Sequence, residues 1–143
     1  MRITDVLRRK GQSVVTITPT QTVRELLAAL AKHRVGALVV SSDGASVEGI
    51  VSERDVVRRL HTDGDGVLEL PVRDIMTTDV RTCEPSVTTD DLMSEMTERR
   101  FRHVPVVVDG RLAGIVSIGD VVKYRLEELQ SERDQLTAYI TGW

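Results

Sequence analysis

Gly49-Ile50-Val51-Ser52-Glu53-Arg54-Asp55-Val56 returns as Gly114-Ile115-Val116-Ser117-Ile118-Gly119-Asp120-Val121, 65 residues further on. Working outward, Arg34-Val35-Gly36-Ala37-Leu38-Val39-Val40 matches Arg100-Phe101-Arg102-His103-Val104-Pro105-Val106, and Thr18-Pro19-Thr20-Gln21-Thr22 matches Glu84-Pro85-Ser86-Val87-Thr88, both at an offset of 66. One residue inserted after Gly44 accounts for the change. The lead-ins agree too, since Ile3-Thr4-Asp5-Val6-Leu7 matches Val72-Arg73-Asp74-Ile75-Met76 at an offset of 69. Two copies are too few for a solenoid, which needs about three to bury a continuous stack. A chain of 143 residues is one ordinary domain in size, so the half-size units are expected to share a core as a pseudo-symmetric pair.

The chain is 41% hydrophobic and 29% charged, with a net charge of -3. That composition belongs to soluble globular proteins rather than disordered or membrane-spanning ones. Charges in Met1-Arg2-Ile3-Thr4-Asp5 fall where a secretory signal needs its apolar stretch, so a cytoplasmic protein is expected. Cys83 is the only cysteine, which excludes an internal disulfide and a thiolate metal cluster and reads as a small buried hydrophobe. The acidic balance and four aromatics, Phe101, Tyr124, Tyr139 and Trp143, argue against a nucleic-acid partner.

Each unit predicts β-α-β-β-α. In the first, Val14 to Ile17 reads as a strand, and Thr22 with Glu25 as a capping box. Val23, Leu26, Leu27 and Leu30 line one helical face ending near His33 or Arg34. Ala37 to Val40 and Val47 to Val51 form a hairpin across Ser42-Asp43-Gly44-Ala45, and Ser52 caps a helix through Leu60. His61 to Gly66 reads as an exposed linker. The second unit repeats this, with a strand near Val80 to Cys83, a helix from Thr88 to Arg99, a hairpin from His103 to Val116 and a helix from Ser117. The last helix runs on, carrying Val122, Leu126, Leu129, Leu136 and Ile140 at helical steps. Its stripe lasts under three heptads with Arg133 in the seam, which favours ordinary packing over a coiled coil.

The chemistry concentrates where Gly-Ile-Val-Ser-x-x-Asp joins a strand to a helix start. Unpaired amides and the helix dipole there favour an anion or polar ligand, and a carboxylate can accept two hydrogen bonds from a vicinal diol. Ser-x-x-Asp is equally a cap, with the carboxylate folded back on its own backbone. Both readings of Asp55 and Asp120 stand at this point. The cap needs only the helix start, whereas the repeat includes the preceding Gly-Ile-Val. His33, His61 and His103 lack metal-ligand spacing. No Walker loop or Gly-x-Gly-x-x-Gly stretch is present, and no histidine accompanies Ser52 or Ser117, so catalysis is not expected.

Val35 to Val40 with Gly49 to Asp55, and Phe101 to Val106 with Gly114 to Asp120, resemble a tandem pair of cystathionine beta-synthase (CBS) domains, the Bateman module. The resemblance covers nearly the whole chain. It implies an α/β fold of two pseudo-symmetric β-α-β-β-α units packed through their sheets. Residues 1–66 would form the first unit with its linker, 67–128 the second, and 129–143 a C-terminal helical extension. It further implies two clefts for adenosyl ligands, AMP first, then ATP, ADP or NAD(H), with S-adenosylmethionine also in the family's range. One cleft would use Ile115, Ser117 and Asp120 with Thr16, Thr18, Gly36 and Ala37. The other would use Ile50, Ser52 and Asp55 with Thr82, Phe101 and Arg102. Arg102, His103 and Gly119 favour the Asp120 cleft for a phosphorylated ligand, while the Asp55 cleft would rely on Arg54.

The expected function is a ligand sensor without catalytic activity. It would form a homodimer, change arrangement on binding nucleotide and signal to a separate, unknown protein target. Neither nucleic acid nor membrane is expected as partner. The alternative is a structural or interaction dimer whose clefts are vestigial.

Overall fold

The computed structural model describes residues 1–11 and 13–142; Trp143, grouped above with the terminal helix, lies outside the described residues. The chain runs α1 (Ile3–Lys10), β1 (Thr16–Ile17), α2 (Val23–His33), β2 (Ala37–Val40), β3 (Gly49–Ser52), α3 (Glu53–Asp63), two 3-10 segments (Gly64–Glu69 and Val72–Asp74), α4 (Thr89–Arg99), β4 (His103–Val108), β5 (Arg111–Ser117) and α5 (Ile118–Thr141). Two small sheets result. In the first, β1 lies parallel to β2, and β2 pairs antiparallel with β3 through Leu38 opposite Val51. In the second, β4 and β5 form a hairpin with Val104 opposite Val116.

Local chemistry sets the helix starts. Thr22 Oγ1 accepts the Glu25 amide at 3.2 Å, and Thr88 Oγ1 accepts the Asp91 amide at 3.2 Å, each satisfying one orphan donor. Arg34 and Arg100 close α2 and α4 in the left-handed region, at φ 54 and 58. The chain thereby turns back into β2 and β4.

The lead-ins cross over. Ile3, Val6 and Leu7 of α1 are buried with Leu92, Met96, Val104, Val116 and Tyr124 of the second unit. Val67, Val72 and Ile75 are buried with Leu26, Leu38, Val51 and Val56 of the first. Backbone bonds anchor the exchange, from Ile3 N–H to the Val87 carbonyl at 2.9 Å and from Val72 N–H to the Gln21 carbonyl at 2.7 Å. The exchange explains the leading glycine of the repeat. A Cβ on Gly114 would lie 2.6 Å from Leu7 Cδ2, and one on Gly49 would lie 2.8 Å from Met76 Sδ and 2.9 Å from the Thr77 carbonyl oxygen. Each glycine is the floor on which the other unit's lead-in rests.

Three sequence expectations need correction. The strand near Val80 to Cys83 is reduced to one parallel bridge, Cys83 to Val106. Cys83 N–H reaches the Pro105 carbonyl and the Cys83 carbonyl accepts Val107 N–H; Pro105 has no N–H with which to bond the carbonyl of Arg81, so the ladder stops. In the first unit, the strand expected from Val14 shortens to Thr16–Ile17. His61 to Gly66 is exposed as expected but helical, the end of α3 continuing into a 3-10 turn. The α5 stripe, an apolar face that wants a partner surface, is open within the chain: Val121 and Tyr124 are buried, whereas Leu126 is 62% exposed, Leu136 58% and Ile140 73%.

Candidate functional site

Asp55 and Asp120 both sit in capping boxes. Ser52 N–H donates to Asp55 Oδ2 at 2.8 Å, and Asp55 N–H returns to Ser52 Oγ at 3.4 Å. Ser117 N–H donates to Asp120 Oδ2 at 2.9 Å, and Asp120 N–H to Ser117 Oγ at 3.0 Å. The backbone-satisfying role is therefore real at both helix starts. It uses one carboxylate oxygen: among the described residues Oδ1 of each aspartate makes no hydrogen bond. Capping and ligand binding are compatible on a two-oxygen group.

The surroundings of the two carboxylates differ. Asp55 opens onto a cavity of about 390 Å³. Ala37, Ile50, Val80 and Phe101 supply its apolar wall, and Arg54, Arg58, Arg81, Arg100 and Arg102 its cations, with Glu53 and Asp79 as further acids. Arg81 is committed to Glu95 at 2.6 Å. Among the described residues Arg54, Arg58, Arg100 and Arg102, which all line this cavity, form no salt bridge. Planar guanidinium forks suit phosphate oxygens.

At Asp120 the carboxylate is paired from within the chain. Lys10 Nζ lies 2.5 Å from Asp120 Oδ2 and 2.8 Å from the Ile115 carbonyl oxygen. Burial works against ionisation of Asp120, but the Lys10 hydrogen bond, the Ser117 amide and the Lys10 charge outweigh it and hold the carboxyl below its ordinary value.

His103 stands within reach of both the Asp55 cavity and the Lys10 and Asp120 charges. Its ring carbon Cε1 lies 3.7 Å from where a Cβ on Gly36 would be, and it lines the Asp55 cavity. Burial first, then the Lys10 charge, lowers its pKa against the opposing pull of Asp120 and Glu53. The ring is therefore biased to its neutral form.

Expectation and placement part company in several places. Gly36, Ala37 and His103, expected beside Asp120, line the cavity of Asp55 together with Ile50, Ser52, Arg54 and Phe101, and so does Arg102, which was expected there as well as near Asp120. Thr82, expected with Asp55, is not in that wall; Thr77 is, exchanging both backbone hydrogen bonds with Ile50 at 2.9 Å. Thr16 pairs with Val39 in the sheet, and Thr18 N–H bonds Gln21 Oε1 at 2.9 Å; neither lines the cavity. Ile115, Ser117, Gly119 and Asp120 keep together at the second helix start, and a Cβ on Gly119 would meet only Ser117 Oγ, at 3.6 Å. Sequence reading missed Arg58, Thr77, Asp79, Val80 and Arg81. Arg58 was within reach, because it lies one helical turn beyond Arg54 on the same face.

Comparison with known proteins places this architecture. The CBS domain family matches the chain twice, at residues 3–62 and 72–127. CBSX3, a mitochondrial CBS domain-containing protein of Arabidopsis thaliana, is 37% identical over 148 aligned residues, covering 98% of this chain and 72% of its own length. The CBS-domain containing protein ATU1752 of Agrobacterium tumefaciens superposes with a TM-score of 0.84 at 48% identity, over 87% of this chain and 99% of that one. The CBS domain pair of protein MJ0100, solved in complex with 5′-methylthioadenosine and S-adenosyl-L-methionine, shares the fold with a TM-score of 0.77 at 23% identity, over 87% and 98%. The chain belongs to the CBS domain family.

Proposed function

We propose, taking CBS family membership as premise, that the protein is a regulatory module whose Asp55 cleft binds an adenine nucleotide. One observation carries the reading: the cavity beside Asp55 joins a carboxylate with one oxygen not hydrogen-bonded, apolar residues and four arginines that form no salt bridge among the described residues. The diol of a ribose would donate to the Asp55 carboxylate, the purine would lie against Ile50, Val80 and Phe101, and the phosphates would meet Arg54, Arg58, Arg100 and Arg102. The adenosyl ligands of MJ0100 support a nucleoside in this place. The surplus of cations favours ligands with two or more phosphates, ATP, ADP or NAD(H), over AMP, and disfavours the sulfonium of S-adenosylmethionine.

The cleft is walled by both units, so a ligand there bears on their arrangement, and differential affinity for two arrangements would shift their population. The reading includes no catalysis. It places the protein in the cytoplasm as a homodimer that signals to a separate protein. In this reading the chain divides into a first unit, 1–66, a second unit, 67–128, and a C-terminal helical extension, 129–143, with α1 lending its apolar face to the second core.

Calorimetric titration with ATP, ADP, AMP, NADH and S-adenosylmethionine tests the reading. Saturable binding of the polyphosphates, weakened at least tenfold in Asp55→Asn, is the expected result. Silence from all five would sink it. A second reading, an interaction dimer with idle clefts, draws on the exposed α5 stripe. It predicts that Leu129→Asp with Leu136→Asp disperses the assembly while Asp55→Asn has no effect.

A further inference from the structure

We propose that Lys10 is a built-in occupant of the Asp120 cleft, which reserves that site and directs the first nucleotide to Asp55. The inference rests on the nucleotide reading of the Asp55 cleft. The Lys10 ammonium holds the two acceptors that a ligand would need at this helix start, the Asp120 carboxylate at 2.5 Å and the Ile115 carbonyl at 2.8 Å. The pair is partly sheltered, with the Lys10 side chain 31% exposed and that of Asp120 22%.

The other half of the molecule shows why the two clefts differ. Leu7 rests on Gly114 as Met76 rests on Gly49, which fixes the correspondence of the lead-ins at an offset of 69. Three residues beyond that contact stand Lys10 in one lead-in and Asp79 in the other. The backbones also diverge there. α1 continues as helix through Lys10, carrying the ammonium over Asp120. After Val72–Asp74 the chain instead extends, Thr77 pairs with Ile50, and Asp79 ends at the cavity wall. A carboxylate cannot pair with Asp55, so that cleft stays open; a lysine pairs with Asp120 and fills its place.

A ligand entering the Asp120 cleft must first displace both contacts of Lys10. A partly exposed ion pair is a modest barrier, so the second site is expected to be about tenfold weaker than the first rather than abolished. Methionine keeps the length of the lysine stem without its charge, and Lys10 lies outside the buried face of α1.

The test is calorimetry of the full chain with ATP in the wild type, Lys10→Met, Asp55→Asn and the Lys10→Met/Asp55→Asn double variant. Wild type should show one tight site. Lys10→Met should gain a second within a few-fold of the first, and the double variant should keep that gained site alone. Two equal sites in the wild type, or a Lys10→Met protein that gains nothing or binds more weakly, would overturn the proposal. Failure of the nucleotide reading itself looks different, because then wild-type binding is absent or indifferent to Asp55→Asn. A ligand-free readout checks the contact separately. Titration of His103 by NMR should move to higher pH in Lys10→Met, and an unchanged titration contradicts the placement of Lys10.

Discussion

The two helix starts carry the same Ser-x-x-Asp, cap their backbones in the same way and sit on the same glycine floor, yet one faces a cavity and the other a lysine. Asp55 shares its cavity with arginines that form no salt bridge among the described residues; Asp120 is already paired. Duplication supplied two equivalent frames, and the residues that distinguish them are Arg54 against Gly119 inside the repeated octapeptide and Lys10 against Asp79 in the lead-ins. What is repeated builds the frame, and what differs decides its use.

The strongest test of the shared frame is steric. Gly49→Val should destabilise the fold by about 3 kcal/mol in chemical denaturation, since the new side chain meets the Thr77 carbonyl as well as Met76. Gly114→Val should cost less, because only the tip of Leu7 stands in the way. Equal costs would break the comparison at its base.

Smaller effects separate the clefts. Asp55→Asn should weaken ATP binding at least tenfold, by loss of a charged acceptor, while Asp120→Asn leaves the first site unchanged in the same titration. Arg58→Ala should weaken ATP by about fivefold and AMP by less, as expected of a group that meets the distal phosphates. Asp79→Asn removes a like charge from the cavity wall and should tighten ATP by about twofold to threefold.

The smallest effect concerns acid. The Asp120 carboxyl is held below its ordinary value, so its pairing stabilises the fold above the ordinary carboxylate range and is lost as pH falls through the lower folded-state value. Asp120→Asn should flatten the acid limb of a stability-versus-pH curve below about pH 4. An unchanged limb would show that Lys10 does not hold Asp120 in solution.

Much of the fold was legible in the chain because its signals are local. Thr22, Ser52, Thr88 and Ser117 announce their helices through caps, and Ala37 to Val40 and His103 to Val106 read as strands from apolar runs. The strand expected at Val80 to Cys83 failed because its partner, not its own residues, decides it: Pro105 withholds one donor. The crossing of the lead-ins was hidden for a similar reason, since Ile3, Val6 and Leu7 declare an apolar face but not which core receives it. At the site, the repeat pointed to Asp55 and Asp120 and left open whether they cap or bind. Lys10 was invisible to spacing, because a bond across 110 residues has no local signature. Arg58 had one, a single turn from Arg54.

The central claim, that Asp55 rather than Asp120 takes the first nucleotide, is tested most directly by the crystal structure of the protein at limiting ATP. The account predicts a ribose on Asp55 Oδ1 with phosphates among Arg54, Arg58 and Arg102, and Lys10 still on Asp120. A nucleotide found first at Asp120, with Lys10 swung onto its phosphates and the Asp55 cavity bare, would contradict it.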